Sequence, residues 1–156
     1  MRTTYRVLAY LIAVEVVIQA AAMVFAVAGL GKWIQEGGVL DKAAMESDEF
    51  PFPEVVGFII HGINGQMVIP LIALILLIVS FFAKIPKGAA WAGGILGLVV
   101  LQVLLGIFGH GMPLLGMLHG INALALFTVA LVAARRAKVA RSAQQAPVLP
   151  GDRASV

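Results

Sequence analysis

Four apolar runs dictate the architecture of this chain. They cover residues 7–30, 55–83, 88–108 and 113–136, and each reaches the roughly 20 residues that a helix needs to cross about 30 Å of hydrocarbon. A helix that is apolar all round must be covered all round, by protein or by lipid. With 156 residues the chain is too short to wrap four such helices in a soluble core, so lipid is the solvent. Composition agrees: 61% of the residues are hydrophobic and 12% charged, against about 25% charged in soluble domains. The expected fold is all-α, a four-helix transmembrane bundle within residues 1–140. An outer loop occupies 31–54, and a compositionally disordered tail occupies 141–156. The connections at 84–87 and 109–112 are tight, which makes helices 2–3 and 3–4 antiparallel neighbours.

Charge sets the expected orientation. Of the 11 Lys and Arg, all but Lys32 and Lys42 fall on one side of the bundle: Arg2, Arg6, Lys84, Lys87, Arg135, Arg136, Lys138, Arg141 and Arg153. That asymmetry places both termini in the cytoplasm of a bacterial inner membrane. Glu36, Asp41, Glu46, Asp48, Glu49 and Glu54 then face outside. The sequence pI of about 9.6 reports topology and contact with anionic lipid, not nucleic-acid binding. The first run is longer than the 7–15 residues of a signal-peptide core, so it reads as an uncleaved helix. The chain has no cysteine, which excludes disulfides, iron–sulfur clusters and covalent heme attachment through Cys-x-x-Cys-His.

Inside this apolar frame one tetrapeptide occurs twice, as His61-Gly62-Ile63-Asn64 and His119-Gly120-Ile121-Asn122. The copies hold two of the chain's three histidines. An imidazole at membrane depth is costly unless something binds it, so each reads as a functional site. The helices before them also match, Val16-Val17-Ile18-Gln19-Ala20 against Val99-Val100-Leu101-Gln102-Val103. The chain is therefore two parallel hairpins related by an axis along the membrane normal. Each histidine lies six residues into its run, roughly 9 Å below the outer surface at 1.5 Å per residue, and Gln102 falls in the same layer. In a cyclic bundle helices 2 and 4 are diagonal, so the two imidazoles face each other.

Such a pair suits the axial positions of a heme b iron. Gly62 and Gly120, with Gly57 and Gly116 nearby, leave flat space for a porphyrin. Asn64 and Asn122 share the histidine faces and are placed to orient a ring nitrogen or a propionate. Zinc lacks the ligands it wants. Copper with Met23, Met67, Met112 or Met117 competes with the ordinary gap-filling role of methionine. A cofactor-free reading also stands: a ring of hydrogen bonds among His61, His119, Asn64, Asn122, Gln19 and Gln102 that fixes helix packing. His110 falls in the outer connection and reads as solvated.

Further features belong to single helices. Glu15, Gln19 and Met23 stack on one face, and Glu15 is the only acid inside an apolar run. It reads as a proton carrier or as an acid bonded to a neighbouring helix. Pro70 deprives the Gln66 carbonyl of its partner and predicts a kink. The glycines of helix 3 (Gly88, Gly93, Gly94, Gly97, Gly106 and Gly109) predict close helix contact. Phe50-Pro51-Phe52-Pro53 cannot continue a helix and returns the chain to the membrane surface, as a lid or as a solvated acidic connector. Trp33 suits the headgroup level.

The segment Leu101-Gln102-Val103-Leu104-Leu105-Gly106, a short outer loop and then Leu118-His119 resembles one four-helix half of the heme A synthase family. That resemblance implies that His61 and His119 are the heme ligands of one bundle. The pattern departs from the family in having one bundle, one histidine pair, and Gly62 and Gly120 where an arginine often follows the ligand, so heme A synthesis itself is not implied. Ala28-Gly29-Leu30-Gly31-Lys32 is similar to the end of the first helix in the DoxX family. The resulting expectation is electron transfer or redox sensing near the outer leaflet, with no catalytic residue. The expected partners are the lipid bilayer and a quinone or membrane redox protein. A cofactor-free subunit and a small proton-coupled or quinone-binding component using Glu15 and Gln19 are the alternatives.

Overall fold

The computed structural model describes residues 1–46 and 50–144, with side chains of the last helix through Lys138. Asp48, Glu49, Arg153 and the tail from 145 onward lie outside the described residues. Helix α1 spans Arg2–Gln35 and the short α2 spans Lys42–Glu46. The Ala44 N–H donates to Asp41 Oδ1 at 2.8 Å and caps α2, the role in which a short acid at a helix start is favoured. A 3₁₀ turn at Pro53–Val55 leads into α3, Val56–Ile63, then a π-helical turn at Asn64–Val68, then α4, Ile69–Ser80. Helices α5, Gly88–Gly109, and α6, Pro113–Gln144, complete the described residues.

Among the described residues four segments are long and apolar enough to cross a membrane: Arg2–Gln35, Pro53–Ser80, Gly88–Gly109 and Pro113–Lys138. They match the four expected runs, but α1 reaches past both ends of its apolar stretch and α6 past its C-terminal end. The reason is propensity. Arg, Lys, Ala and Gln are good helix formers, so the backbone stays helical after hydropathy has ended. For the same reason α6 carries on through 141–144, where the tail was expected to begin.

The four spans form a ring in chain order. Helix α1 packs on α6 and on α4, α4 on α5, and α5 on α6. Spans 2 and 4 are diagonal, as expected. The core lies in the half of the bundle nearest the termini, where Tyr5, Ile12, Leu76, Ile95, Val99 and Leu126 are sealed from solvent. Small residues such as Ala9, Ala73, Ala92 and Ala130 are fully buried between them, which lets the helices approach closely. At the other end the ring opens. Among the described residues α3 packs, beyond the turns that flank it in the chain, chiefly on α1.

Each end is tied differently. At the terminal end Arg2 donates to the Ala83 carbonyl at 3.1 Å and to the Lys84 carbonyl at 2.9 Å. Tyr5 donates to the Gly88 carbonyl at 3.2 Å. These bonds close the α4–α5 turn, where Lys84 and Lys87 take left-handed φ angles of 50° and 57°, an uncommon conformation for side chains of this kind. Arg136 lies 4.8 Å above the Trp91 ring, a cation–π pair between α6 and α5. At the loop end Phe52 is buried and its ring sits 5.7 Å from that of Trp33. The Phe-Pro-Phe-Pro segment thus docks on the end of α1, with Phe52 anchored and Phe50 exposed.

The expected role of the α5 glycines needs correction. Gly93, Gly94 and Gly97 are exposed and have no neighbour where a Cβ would stand. Their face looks away from the bundle. The close contacts in this region involve Gly88, Gly106 and Gly109 instead.

Candidate functional site

In the second hairpin a half-turn of α5 and a half-turn of α6 lock together through three side chains. Gln102 Nε2 donates to the His119 carbonyl at 3.0 Å. Asn122 Nδ2 donates to Gln102 Oε1 at 2.6 Å and to the Leu98 carbonyl at 2.9 Å. His119 Nδ1 meets the Gln102 carbonyl at 3.0 Å. A carbonyl only accepts, so Nδ1 carries the proton and Nε2 is left bare. Gly106 makes this approach feasible: a Cβ there would stand 3.2 Å from His119 Cε1 and 3.3 Å from its Nδ1.

The first hairpin repeats the arrangement once the Gln19 amide is turned to match its neighbours, an assignment that hydrogen bonding decides. Its nitrogen then donates to the His61 carbonyl at 3.1 Å, and its oxygen accepts from Asn64 Nδ2 at 3.1 Å and the Gly65 N–H at 2.9 Å. His61 Nδ1 lies 3.3 Å from the Gln19 carbonyl and 2.6 Å from the Gln19 side-chain nitrogen. The first contact needs a proton on Nδ1 and the second needs Nδ1 bare. His119 is held in one tautomer, whereas His61 has partners for either.

The two units bring the imidazoles together. The His61 and His119 ring centroids are 6.0 Å apart and the rings are inclined at 54°. Both rings are half-buried. Among the described residues neither Nε2 has a hydrogen-bond partner, and no side-chain nitrogen or oxygen is sealed from solvent without one. The free nitrogens therefore open onto accessible space. A Cβ on Gly62, Gly116 or Gly120 would meet nothing within 4 Å; Gly116 and Gly120 are exposed, and Gly62 lines an open groove with Ile59, Ile63, Gln66 and Met67. Gly57 serves another purpose. Its missing side chain lets α3 press on Ala22 and Ala26 of α1.

Glu15 departs from the repeat. It occupies the position before Gln19 that Leu98 holds before Gln102, and its Oε2 accepts from Asn64 Nδ2 at 2.7 Å. That is an acid bonded to a neighbouring helix, one of the two roles expected of it. The π turn at Asn64–Val68 is a second departure, since α6 is α-helical throughout its matching stretch. The Ile69 N–H reaches back to the Asn64 carbonyl, and the widened turn sits just before Pro70, which has no N–H to give. The expected disturbance at Pro70 thus takes the form of a π turn. His110 is exposed, with Nδ1 3.3 Å from the Ile107 carbonyl.

Among the described residues no three His, Asp or Glu side chains gather where they could hold a metal ion. A metal at the histidine pair would take its remaining bonds from elsewhere, as heme iron does from its porphyrin. The chain matches no protein-family model, no curated protein and no solved structure. The likeness to heme A synthase and DoxX rests on the short motifs quoted above.

Proposed function

We propose that this protein is a bis-histidine heme b protein of the bacterial inner membrane, with both termini in the cytoplasm, that transfers electrons near the outer leaflet. One observation carries the reading: the 6.0 Å separation of the His61 and His119 rings. A metal bridging two imidazole nitrogens at about 2 Å each sets the ring centres roughly 6 Å apart. The donor set fits as well. His119 is held with Nε2 bare by a carbonyl behind it, the kind of support that metal-binding histidines have, and His61 has the same carbonyl contact to use.

Bound there, heme would supply one-electron chemistry, and His61 and His119 are the residues that would hold it. The protein's own contribution is to fix ring orientation through the Gln19 and Gln102 carbonyls and to keep the pair at one depth. The orientation in the membrane rests on the cationic terminal end and the acidic loop end.

The test is an absorption spectrum of protein purified with heme supplied. A sharp low-spin spectrum of the reduced form, lost in both His61→Ala and His119→Ala, is the expected outcome. A folded but colourless protein refutes the proposal. It favours a cofactor-free subunit, a reading that draws on the closure of each Gln–His–Asn unit within its own hairpin.

A further inference from the structure

The two hairpins act as controls for each other. In the second, Asn122 completes its bonding on the Leu98 carbonyl at 2.9 Å. In the first, Asn64 turns instead to the Glu15 carboxyl at 2.7 Å. A backbone carbonyl is thus sufficient for packing, and an acid within an apolar span is costly to insert. Glu15 is there for another reason.

The two departures from the repeat meet at one place. Glu15 and Asn64 line a groove of about 390 Å³, walled by Ile59, Ile60, Ile63 and Val68. The π turn begins at Asn64 and ends at Val68, so it shapes that wall, and such turns recur at functional sites. The four apolar wall residues are exposed on a membrane-spanning segment. Whatever reaches the groove arrives through hydrocarbon, with an apolar body and a small uncharged head. The head meets acceptors, the Glu15 carboxyl and beside it the Asn64 side-chain oxygen, since both Asn64 amide protons are given to Glu15 and Gln19.

We infer that this groove binds the headgroup of a membrane-dissolved quinol, its hydroxyl donating to the Glu15 carboxyl. The tail lies along the isoleucines. The existence of a site for a hydroxyl-bearing lipid stands on the groove alone, whereas the choice of a quinol over other such lipids rests on the heme reading. Asn64 links the two sites, because it lies three residues after His61 and its Nδ2 donates both to Glu15 and, at 3.1 Å, to the Gln19 oxygen that pairs with the histidine unit.

The test measures anaerobic binding of decylubiquinol by calorimetry, on heme-free and heme-supplied protein. The variant is Glu15→Leu, which rebuilds the second hairpin's own solution and is expected to fold, as circular dichroism and thermal melting verify. Saturable binding to the wild type, weakened at least tenfold in Glu15→Leu and not displaced by dioctanoylglycerol, supports the inference. Absent binding, or binding that Glu15→Leu leaves unchanged, overturns the site. Equal competition by dioctanoylglycerol overturns the quinol and leaves a general lipid site. Quinol binding by a protein that takes up no heme sinks the heme reading and leaves the groove standing.

Discussion

The Gln–His–Asn unit makes a quantitative claim about stability. Asn122→Ala removes two donated bonds, to Gln102 Oε1 and to the Leu98 carbonyl. Interhelical hydrogen bonds in membranes average about 0.6 kcal/mol and reach about 1.7, so the pair is worth about 1–2 kcal/mol. Asn122 is 7% exposed, and the deletion strands the Gln102 acceptor, which raises the expected loss to about 1–3 kcal/mol. Reversible unfolding in mixed detergent micelles, followed by circular dichroism, measures it. The decisive form is a double-mutant cycle. Gln102→Ala with Asn122→Ala shares one direct bond and is expected to couple by about 0.6–1.7 kcal/mol, as is Gln19→Ala with Asn64→Ala. Asn64→Ala with Asn122→Ala crosses between hairpins and is expected to add within about 0.3–0.5 kcal/mol. Additivity inside a hairpin, or coupling between hairpins of the size expected within one, refutes the claim that each hairpin closes its own unit.

Other perturbations probe separate features. Gly106→Val drives methyl groups toward the His119 ring and is expected to lose about 1–3 kcal/mol in the same unfolding assay, together with heme uptake; retention of both refutes the crowding argument. Pro70→Ala restores a donor for the Gln66 carbonyl and is expected to return Asn64–Val68 to α-helix, visible as altered backbone chemical shifts at those residues; an unchanged π pattern assigns the turn to another cause. Tyr5→Phe removes the bond to the Gly88 carbonyl and is expected to lose about 0.5–1.5 kcal/mol; a stability equal to wild type dismisses this tie.

The spans were legible because bilayer thickness converts run length directly into architecture. The histidine pair was legible because imidazole is rare in hydrocarbon and both copies of its tetrapeptide start at equal depth. The hydrogen bonds that aim the rings were not, because their acceptors are the backbone carbonyls of Gln19 and Gln102, and every residue has a carbonyl. One trace of them is present: Gly106, one turn after Gln102, is where an incoming ring needs room. Gly93, Gly94 and Gly97 misled for the same physical reason that Gly106 informs. A glycine permits close approach, but the sequence does not say from which side. Pro70 signalled a break and left open its form, since kink and π turn both relieve a missing N–H.

The closure of each Gln–His–Asn unit within one hairpin bears on the order of assembly. Helices α1 and α3 carry everything needed to orient His61, so the first half of the chain can set its ring while the second is still being synthesised. Helices α5 and α6 do the same for His119. The remaining event is lateral docking of two finished halves, which brings the rings opposite each other without either having to turn. Two separately expressed hairpins are therefore expected to reunite in the bilayer with their imidazoles already aimed.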